Sequence, residues 1–483
     1  MAPSGHGRLL VITNWRDRKH PRAGGAELVC EELAAYFADN GWQVVILAAA
    51  VDGQPADEDL GEGGRLIRRG TAQSVYFWAL RWLFAHRRQV SAVIDSQNGI
   101  PFFTPLVLSQ RTPVLLMVHH VHQDQFAMHM NRALATVGKL LEGPATRWVY
   151  GRRALLTASA TTRQQVRQRL GLKGDITVAP PGTDGPAHIG TPRSKHESIV
   201  CVGRLVAHKQ VDLVIEAMPA LLDLFPYLQL DIIGDGPSRP YLERRVDALG
   251  LSGSVSLHGA VPAAQRDQIV SASWLAVATS AAEGWCLTVI EANTFGVPVV
   301  GLRRPGLSNS IRHGETGWLV DDAADLVPAI AAALAELGDP AVAWEWADRA
   351  RTWASHFTWE EMGRRAARAL GAEEKRLNHK GSERRDLSDV ASVVYIPGSV
   401  GNSTVMRFRA SDQIHRTRAG TVLLLSGADL NSAKVAVVRA GLSPLLAADP
   451  SVLYEVARQD DFVWPSRLAV AQDTAHAQDR KAA

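Results

Sequence analysis

The stretch over 280–301, SAAEGWCLTVIEANTFGVPVVG, holds the side chains whose types and spacing best suit chemistry. Glu283 and Glu291 lie eight positions apart, and a glycine follows the first of them. The pattern predicts a short helix over 287–295, ended by a glycine and a proline. A buried strand is expected to follow over 297–300.

The start of that helix suits a phosphate group, because its first turn leaves backbone N–H groups unpaired and carries a partial positive charge. Thr288 and Glu291 lie one helical turn apart near this end. A carboxylate there suits hydroxyl groups rather than a phosphate, as an acidic residue does on a ribose. The pattern therefore favours a sugar-nucleotide site with two carboxylates for hydroxyl groups. The alternative is that both glutamates are surface charges on an ordinary αβ unit.

Length and composition indicate a globular protein of two or three domains. The chain has 483 residues, of which 46% are hydrophobic and 21% charged, and this is too long for one core. A net charge of +3 excludes a strong field for nucleic acid. Cys30, Cys201 and Cys286 lie far apart without metal-ligand spacing, which favours a reduced, cytoplasmic compartment. No apolar run approaches the ~20 residues that span a bilayer, so we expect a soluble protein that can still touch a membrane surface.

The order of elements is that of α/β domains. Strand, glycine turn, helix and strand follow one another at the N-terminus, which is typical of a doubly wound fold. Strands are expected at 9–13, 42–48, 92–95, 114–118, 154–158, 176–179, 198–202, 229–233, 255–258, 274–278, 393–396 and 421–425. Helices are expected at 27–40, 211–224, 239–249 and 431–440.

The domain bounds follow from breaks in this pattern. Proline and glycine at 180–184 end the first half, so we expect an N-terminal α/β domain over 1–185 and a second over 186–375. A charged segment over 376–391 is expected to be a linker. The remainder, 392–483, is expected to be a small α+β appendage of unknown role.

Five segments in one order resemble the motifs of the retaining glycosyltransferases of family four, which have the GT-B fold. They are Gly24-Gly25-Ala26-Glu27, the G-R-x4-K clamp of Gly203, Arg204 and Lys209, the turn Ile233-Gly234-Asp235-Gly236-Pro237, the E-x7-E pair Glu283 and Glu291, and His313 to Val320. The resemblance covers about residues 8–370. It implies two Rossmann-like doubly wound domains that face each other across a cleft, the first on the acceptor side and the second binding the sugar nucleotide.

The resemblance also implies roles for these residues. Arg204 and Lys209 would neutralise the diphosphate of a UDP- or GDP-sugar, whose negative charge grows as the sugar leaves. Glu291 would hold the ribose, and Glu283 would contact hydroxyl groups of the donor sugar. Backbone at Gly24, Gly25, Gly203, Gly234, Gly284, Leu287 and Thr288 would lie against the donor. The alternative for the Arg204–Lys209 pair is a set of surface salt bridges.

Cys286 departs from the family, which usually has glycine at this position. If the backbone there needs a positive φ, a cysteine would be strained. If the site needs only the backbone amide of this residue, a cysteine serves as well as a glycine. The sequence leaves both alternatives open.

Three histidines end the strand predicted over 114–118. The family commonly has a histidine at this strand end, and the alignment puts His119 there, with His120 as the alternative. A neutral imidazole can bind the sugar or orient the attacking hydroxyl. A structural histidine and a zinc ligand are the other interpretations, and His122 is the weakest candidate of the three.

No metal or cofactor is expected besides the donor substrate. Asp57, Glu58 and Asp59 have the D-x-D spacing of metal-dependent glycosyltransferases, but we expect them in a glycine-rich loop as solvated charges. The segment over 74–90 combines aromatic residues with a basic end. It suits an anionic membrane face. Its apolar residues fall nearly all round the helix, which suits a packed helix equally well.

The sequence thus predicts a retaining, metal-independent glycosyltransferase that moves a sugar from a nucleotide diphosphate sugar to an acceptor hydroxyl. The acceptor would be a glycan, a lipid-linked sugar or a small molecule, as in cell-envelope glycolipid or polysaccharide synthesis. The enzyme would be cytoplasmic, with peripheral contact at the inner membrane face left open. The alternatives are a GT-B sugar-nucleotide epimerase and a catalytically degenerate sugar-nucleotide scaffold or sensor.

Overall fold

Three β-sheets organise the chain in the computed structural model. The structure describes residues 7–61, 63–124, 126, 131–185, 192–378, 390–398, 408, 412–416, 420–426, 428, 430–441 and 451–458. Most of the predicted linker, 379–389, lies outside these ranges. The described chain forms two compact units, one of residues 1–15, 37–179 and 364–483 and one of residues 16–36 and 180–363. We call them unit 1 and unit 2. The domain bounds expected from the sequence stay a prediction.

The first sheet has eight strands in the order β3-β4-β2-β1-β5-β6-β7-β8, parallel except for β3 with β4. They are β1 Leu9–Thr13, β2 Gln43–Ala48, β3 Asp57–Gly61, β4 Gly64–Arg68, β5 Val90–Gln97, β6 Val114–Val118, β7 Ala154–Thr157 and β8 Ile176–Val178. The helices between them are α1 Gly25–Asp39, α2 Val75–His86, α3 Arg132–Leu140, α4 Thr146–Tyr150 and α5 Ala160–Gln165. A π-turn, Leu141–Ala145, joins α3 to α4. Helices on both faces bury the sheet, which is why β6 reads as the unbroken apolar run VLLMV.

The second sheet is wholly parallel, in the order β11-β10-β9-β12-β13-β14. Its strands are β9 Ser198–Val202, β10 Gln229–Ile233, β11 Val255–Gly259, β12 Leu275–Ala278, β13 Val299–Leu302 and β14 Gly317–Val320. Its helices are α6 Asp212–Leu224, α7 Arg239–Ala248, α8 Ala263–Ala272, α9 Leu287–Thr294, α10 Leu307–Ser310, α11 Leu326–Glu336 and α12 Pro340–Ala354. Ile199 and Val200, adjacent on β9, lie in different apolar clusters, so each face of the sheet has its own core.

The third sheet belongs to the predicted appendage and is antiparallel, in the order β16-β17-β15-β18. Helix α13, Trp359–Asn378, precedes it. Its elements are β15 Val390–Pro397, β16 Gln413–Arg416, β17 Gly420–Ser426, α14 Leu430–Arg439 and β18 Leu453–Arg458. Apolar residues of β15, β17 and α14 form a separate core. The fold class is thus two doubly wound α/β sheets with a small α+β appendage, as the sequence predicts.

The prediction for Asp57, Glu58 and Asp59 is wrong in one respect, because these residues form strand β3 rather than a loop. Strand β3 pairs with β4 at the edge of the first sheet. Asp57 lies 2.9 Å from Arg65 and 2.8 Å from Arg69 in ion pairs. The Asp57 carboxylate is therefore paired with one arginine on β4 and another just after it.

Helix α2 has one buried and one exposed face. Val75, Ala79 and Leu83 are buried, while Phe77 and Phe84 are 74% and 54% exposed. Packing thus explains only part of the aromatic segment. Within the described ranges no single helix is long and apolar enough to cross a membrane; one pair, 323–336 with 340–378, meets the length and composition test only with a bend of 111°.

Candidate functional site

The order of the second sheet explains why the predicted donor residues lie together. The chain leaves β9 towards β10 on one side and leaves β12 towards β13 on the other. Neighbouring strands with opposite onward directions open a crevice at their carboxyl ends, where ligands of such sheets bind. Gly203 and Arg204 directly follow β9, and Thr279 and Ser280 directly follow β12. The crevice therefore lies at the two loops that the sequence singled out.

Lys209 and Glu283 form an ion pair in this crevice. Lys209 ends a 3₁₀ turn, Ala207–Lys209, and its Nζ lies 2.5 Å from Oε1 of Glu283. The Thr279 hydroxyl holds the turn by donating to the carbonyl oxygens of Lys209 (3.0 Å) and Gln210 (2.8 Å). Thr279 was missed in the sequence, although its position just after a buried strand is a usable signal.

Both members of this pair are charged. Burial opposes the ammonium, but the Glu283 carboxylate more than compensates and raises the pKa of Lys209. Burial likewise opposes the charged form of Glu283, but the ammonium of Lys209 outweighs burial and lowers the pKa of Glu283. The site thus holds a fixed cation and a fixed carboxylate at neutral pH.

Gly234 sets how closely the loops after β9 and β10 approach. Its φ is 131°, and a Cβ there would lie 1.9 Å from the carbonyl oxygen of Gly203. No other residue fits without moving the backbone. That Gly203 and Gly234 lie against the donor stays a prediction. The close approach of their backbones explains why position 234 is a glycine.

Helix α9 begins in the same crevice. Its N-cap residue is Cys286, with φ 71° in the left-handed region. The alternative left open by the sequence is therefore decided: the backbone does need a positive φ here. Thr288, in the first turn, lies 3.4 Å from the sulfur of Cys286 through its hydroxyl. A cavity of about 20 Å³, large enough for one water-sized group, is lined by Arg204 and Lys209 together with Cys286 and Thr288 of this helix start.

The glycine loop at 24–25 lies on Arg204 within unit 2. A Cβ on Gly24 would stand 3.2 Å from the Arg204 guanidinium, and one on Gly25 would stand 3.1 Å from Leu287. Nη1 of Arg204 donates to the carbonyl oxygen of Arg22 at 3.2 Å. The structure therefore places Gly24, Gly25, Arg204 and Leu287 together.

Glu27 fixes this loop and was missed as a positioning residue. Its carboxylate accepts from the backbone N–H of Gly24 (2.6 Å) and from Nε of Arg16 (2.8 Å), and its side chain is fully buried. A glutamate in the first turn that accepts from the N-cap N–H is one half of a capping box. This bond starts α1 at Gly25, two residues earlier than the sequence predicts.

Glu291 lies on α9 with its carboxylate 3.9 Å from Nη1 of Arg266 on α8. Burial raises the pKa of Glu291; Arg266 counters it, while Asp267 adds to it. The sequence did not single out Arg266, since its helix carries no motif. Glu291 is thus a quarter-exposed carboxylate with a cation at the limit of ion-pair distance.

His119 and His120 lie in unit 1, at the carboxyl end of β6. Nε2 of His119 lies 2.8 Å from the Ser96 hydroxyl at the end of the neighbouring strand β5. The rings of His120 and His122 lie 3.6 Å apart, centroid to centroid. The strand end therefore presents three imidazoles on one loop.

Glu142 supports that loop from the π-turn. It accepts from the backbone N–H of His122 at 2.6 Å and from Nε2 of Gln123 at 2.8 Å. Its side chain is fully buried, and burial raises the pKa of Glu142 to about 7. The sequence gave no signal for this residue, because π-turns have no motif.

Comparison with known families covers both α/β regions. Residues 23–185 match the model described as Glycosyltransferase Family 4, and residues 189–351 match the model described as Glycosyl transferases group 1. Over residues 23–351 the chain belongs to the glycosyltransferases of family four. The resemblance recognised from five short motifs is confirmed.

Two relatives of this family-four chain carry phosphatidylinositol in their names. It is 30% identical over 232 residues to a GDP-mannose-dependent α-(1-6)-phosphatidylinositol monomannoside mannosyltransferase of Mycolicibacterium smegmatis, covering 44% of this chain and 60% of that protein. It is 25% identical over 302 residues to a phosphatidylinositol N-acetylglucosaminyltransferase component of Homo sapiens, covering 60% of this chain and 61% of that one. The chain thus matches about three fifths of the length of these relatives.

A solved structure shows the same fold. The sucrose-phosphate synthase of Thermosynechococcus elongatus superimposes with a TM-score of 0.62 and 19% identity, covering 74% of this chain and 97% of that one. The predicted GT-B class is confirmed by this match. In this family-four glycosyltransferase, Arg204, Lys209 and Glu283 lie at one crevice, and the two histidines lie in the other unit.

Proposed function

We propose that this chain transfers a sugar from a nucleotide diphosphate sugar to an acceptor hydroxyl, with retention of the anomeric configuration. The observation that carries the proposal is the Lys209–Glu283 ion pair beside Arg204 at the start of α9. Two cations near a helix start suit a diphosphate, and a carboxylate beside them suits sugar hydroxyls, which supports the proposal.

The two cations would stabilise the charge that develops on the leaving group. As the bond from the anomeric carbon to the diphosphate oxygen breaks, negative charge grows on that oxygen, and fixed cations lower the energy of this state. Arg204 can hold two oxygens at once, whereas Lys209 supplies a point charge. Lys209 is already charged and held in place, so no reorganisation is needed. This arrangement supports catalysis without a metal.

Retention would follow from attack on the same face that the leaving group departs from. The acceptor oxygen bonds to the anomeric carbon, the bond to the diphosphate breaks, and the hydroxyl proton passes to a leaving-group oxygen. No carboxylate nucleophile is then required. Glu283 would hold hydroxyl groups of the sugar, and Glu291 those of the ribose. His119 or His120 would orient the acceptor.

A lipid-linked acceptor is favoured, with UDP- or GDP-sugar as donor. The names of both relatives contain phosphatidylinositol, and that of the bacterial one specifies GDP-mannose. An enzyme acting on such an acceptor from the cytoplasmic side needs a surface that touches the inner membrane face. Exposed aromatic residues on α2, Phe77 and Phe84, agree with such contact.

A second candidate is a scaffold or sensor that binds sugar nucleotides without catalysis. The observation in its favour is Cys286, which holds a left-handed backbone where the family usually has glycine. Strain at this point would loosen the helix start that faces the phosphates. Such a protein would bind the donor and leave it intact.

The deciding experiment is a titration with UDP-, GDP- and ADP-sugars, read as thermal shift with EDTA present and then as nucleotide release. We expect one donor to stabilise the protein. Arg204→Ala should abolish that shift, and Arg244→Ala, an exposed arginine on α7, should not. Release of nucleotide with retained anomeric configuration in the product would support transfer. Binding without turnover for any acceptor would favour the scaffold, and a changed sugar without transfer would favour an epimerase.

A further inference from the structure

Unit 1 has a cavity at the edge of its sheet opposite the histidines. The cavity measures about 810 Å³ and is lined by Leu106, Arg147, Trp148, Arg152, Arg153 and Lys173, among others. Arg152 and Arg153 directly precede β7, and Lys173 lies shortly before β8. These are the amino ends of the strands, whereas His119 follows the carboxyl end of β6. Since the strands are parallel, this cavity is separate from the strand ends that bear the predicted catalytic residues.

The cavity has an excess of positive charge. Arg153 and Arg376 both contact the buried carboxylate of Glu373, at 3.4 Å and 2.6 Å. Arg147 and Lys173 have no carboxylate partner among the described residues. An excess of cations around an open cavity favours a ligand with phosphate groups.

Helices α3 and α4 continue this surface with exposed apolar residues. Leu134, Val137 and Leu140 are exposed on α3, and Trp148 on α4 is 80% exposed. Soluble surfaces seldom place four large apolar side chains along one helical segment. An apolar stripe ended by a tryptophan is typical of a helix that lies in a membrane interface.

The exposed charges of this helical segment have one sign. Arg132, Lys139 and Arg147 are exposed, and the single carboxylate between residues 131 and 153, Glu142, is fully buried. Asp124, which lies near Lys139, is held by Arg169 through two bonds of 2.8 Å. An exposed face with cations and apolar side chains, whose nearby exposed carboxylate is already paired with an arginine, complements an anionic lipid surface.

Helix α2 packs on the same face of the sheet as α4. Val75 of α2 and Tyr150 of α4 belong to one apolar cluster. Between the helices, Tyr76 stacks on Phe102 at 4.4 Å, and the next residue, Phe103, lies 6.3 Å from Tyr150. The exposed phenylalanines of α2 therefore point away from the sheet on the same side as Trp148.

We propose that the exposed residues of α3 and α4, together with the cavity cations, form a docking surface for an anionic phospholipid bilayer. We call it the basic aromatic surface; it consists of Leu134, Val137, Leu140, Arg147, Trp148 and Lys173. Trp148 and the α3 side chains enter the headgroup region, and Arg147 and Lys173 bind lipid phosphates at the cavity. The surface would hold unit 1 against the membrane that contains a lipid acceptor.

The test is co-flotation of the full chain with vesicles of phosphatidylcholine alone and with one third phosphatidylglycerol. We expect binding to the anionic vesicles that weakens as salt is raised, and little binding to neutral ones. Arg147→Gln/Lys173→Gln should weaken it about thirtyfold, from about 1 kcal/mol for each cation near the surface. Trp148→Ala/Leu140→Ser should weaken it by at least about tenfold.

Matched controls change the same residue types elsewhere. Trp344→Ala removes an exposed tryptophan of α12, and Arg244→Gln removes an exposed arginine of α7, so both should bind as the parent chain does. Equal binding by all variants, or none by the parent chain, would overturn the proposal. Glycerol phosphate provides a further arm: a thermal shift that Arg147→Gln/Lys173→Gln loses, without vesicle binding, would make the cavity a site for a soluble anion instead. Since no catalysis is measured, failure here is distinct from failure of the proposed transfer.

Discussion

Cys286 is the residue at which this chain departs most clearly from its family. Its φ of 71° belongs to the left-handed region, where a side chain costs about 1–2 kcal/mol relative to glycine. Burial raises the pKa of its thiol to about 11, and Glu283 adds to that effect. The thiol therefore stays protonated at neutral pH and acts as a small apolar group next to the ion pair.

We expect Cys286→Gly to be more stable than Cys286→Ala by about 1 kcal/mol, because only glycine relieves the backbone strain. Both variants lose the same sulfur contact to Thr288, so the difference isolates the backbone. The measurement is urea unfolding of the two variants side by side. An alanine variant at least as stable as the glycine variant would show that the position is unstrained.

The Lys209–Glu283 pair predicts strong coupling between two substitutions. Lys209→Met alone leaves a buried carboxylate without its cation and should lower the free energy of unfolding by about 3 kcal/mol. Glu283→Gln alone leaves the ammonium of Lys209 without its carboxylate and should lower the free energy of unfolding by a similar amount. The double variant should recover most of the loss, because no buried charge remains. A urea double-mutant cycle measures this, and simple additivity would contradict a direct pair.

Among the larger elements, the π-turn between α3 and α4 makes stability depend on pH. The folded pKa of Glu142 is about 7 against 4.5 for the unfolded group, so the folded state binds the proton more tightly. The free energy of unfolding should therefore fall as pH rises from 4.5 to 7, by up to about 3 kcal/mol.

Glu142→Gln should remove this dependence. The free energy of unfolding of the variant minus that of the parent chain should rise between pH 5 and pH 8. Urea unfolding at each pH measures this difference. The comparison cancels groups that titrate equally in both proteins. Asp124→Asn, an exposed carboxylate close by, is the control and should show no such gain. A constant difference across this pH range would show that Glu142 does not titrate there.

Periodicity predicted the buried strands well, and four of them, 9–13, 114–118, 198–202 and 229–233, have the expected bounds. These strands are apolar runs between turn residues, so burial and sequence carry the same information. The β3–β4 hairpin was missed because its acidic edge strand has no apolar face to reveal it. The strand after α9 begins at Val299 rather than Val297, since the chain needs two residues to leave the glycine stop.

The site was predictable where it rests on strand ends and family motifs. Arg204, Lys209 and Glu283 meet because β9 and β12 are neighbours, and this follows from strand order once the fold class is known. Glu27 was missed although its bond to Gly24 is local, three residues along the chain. Arg266 was not predictable, since its contact with Glu291 is made only in three dimensions. The same holds for Glu142, which supports the histidine loop from 20 residues away.

At the scale of the whole molecule, the appendage should be dispensable for donor binding. The predicted donor residues Gly24, Arg204, Lys209, Glu283 and Glu291 all lie in unit 2, whereas β15 and the strands after it lie in unit 1 with a core of their own. A chain ending at residue 389 should therefore keep the full donor-induced thermal shift. Loss of the shift with an intact unfolding transition would assign the appendage a part in binding.

Neither unit is continuous along the chain, and this affects how the protein is made. Arg204 binds the carbonyl oxygen of Arg22 across 182 residues, and Arg8 pairs with Glu374 across 366. At about 5–20 residues per second on the ribosome, Arg8 is made roughly 20–70 seconds before its partner Glu374. We therefore expect the glycine loop to meet Arg204 while the polypeptide is still growing, and unit 1, which starts first, to be completed last.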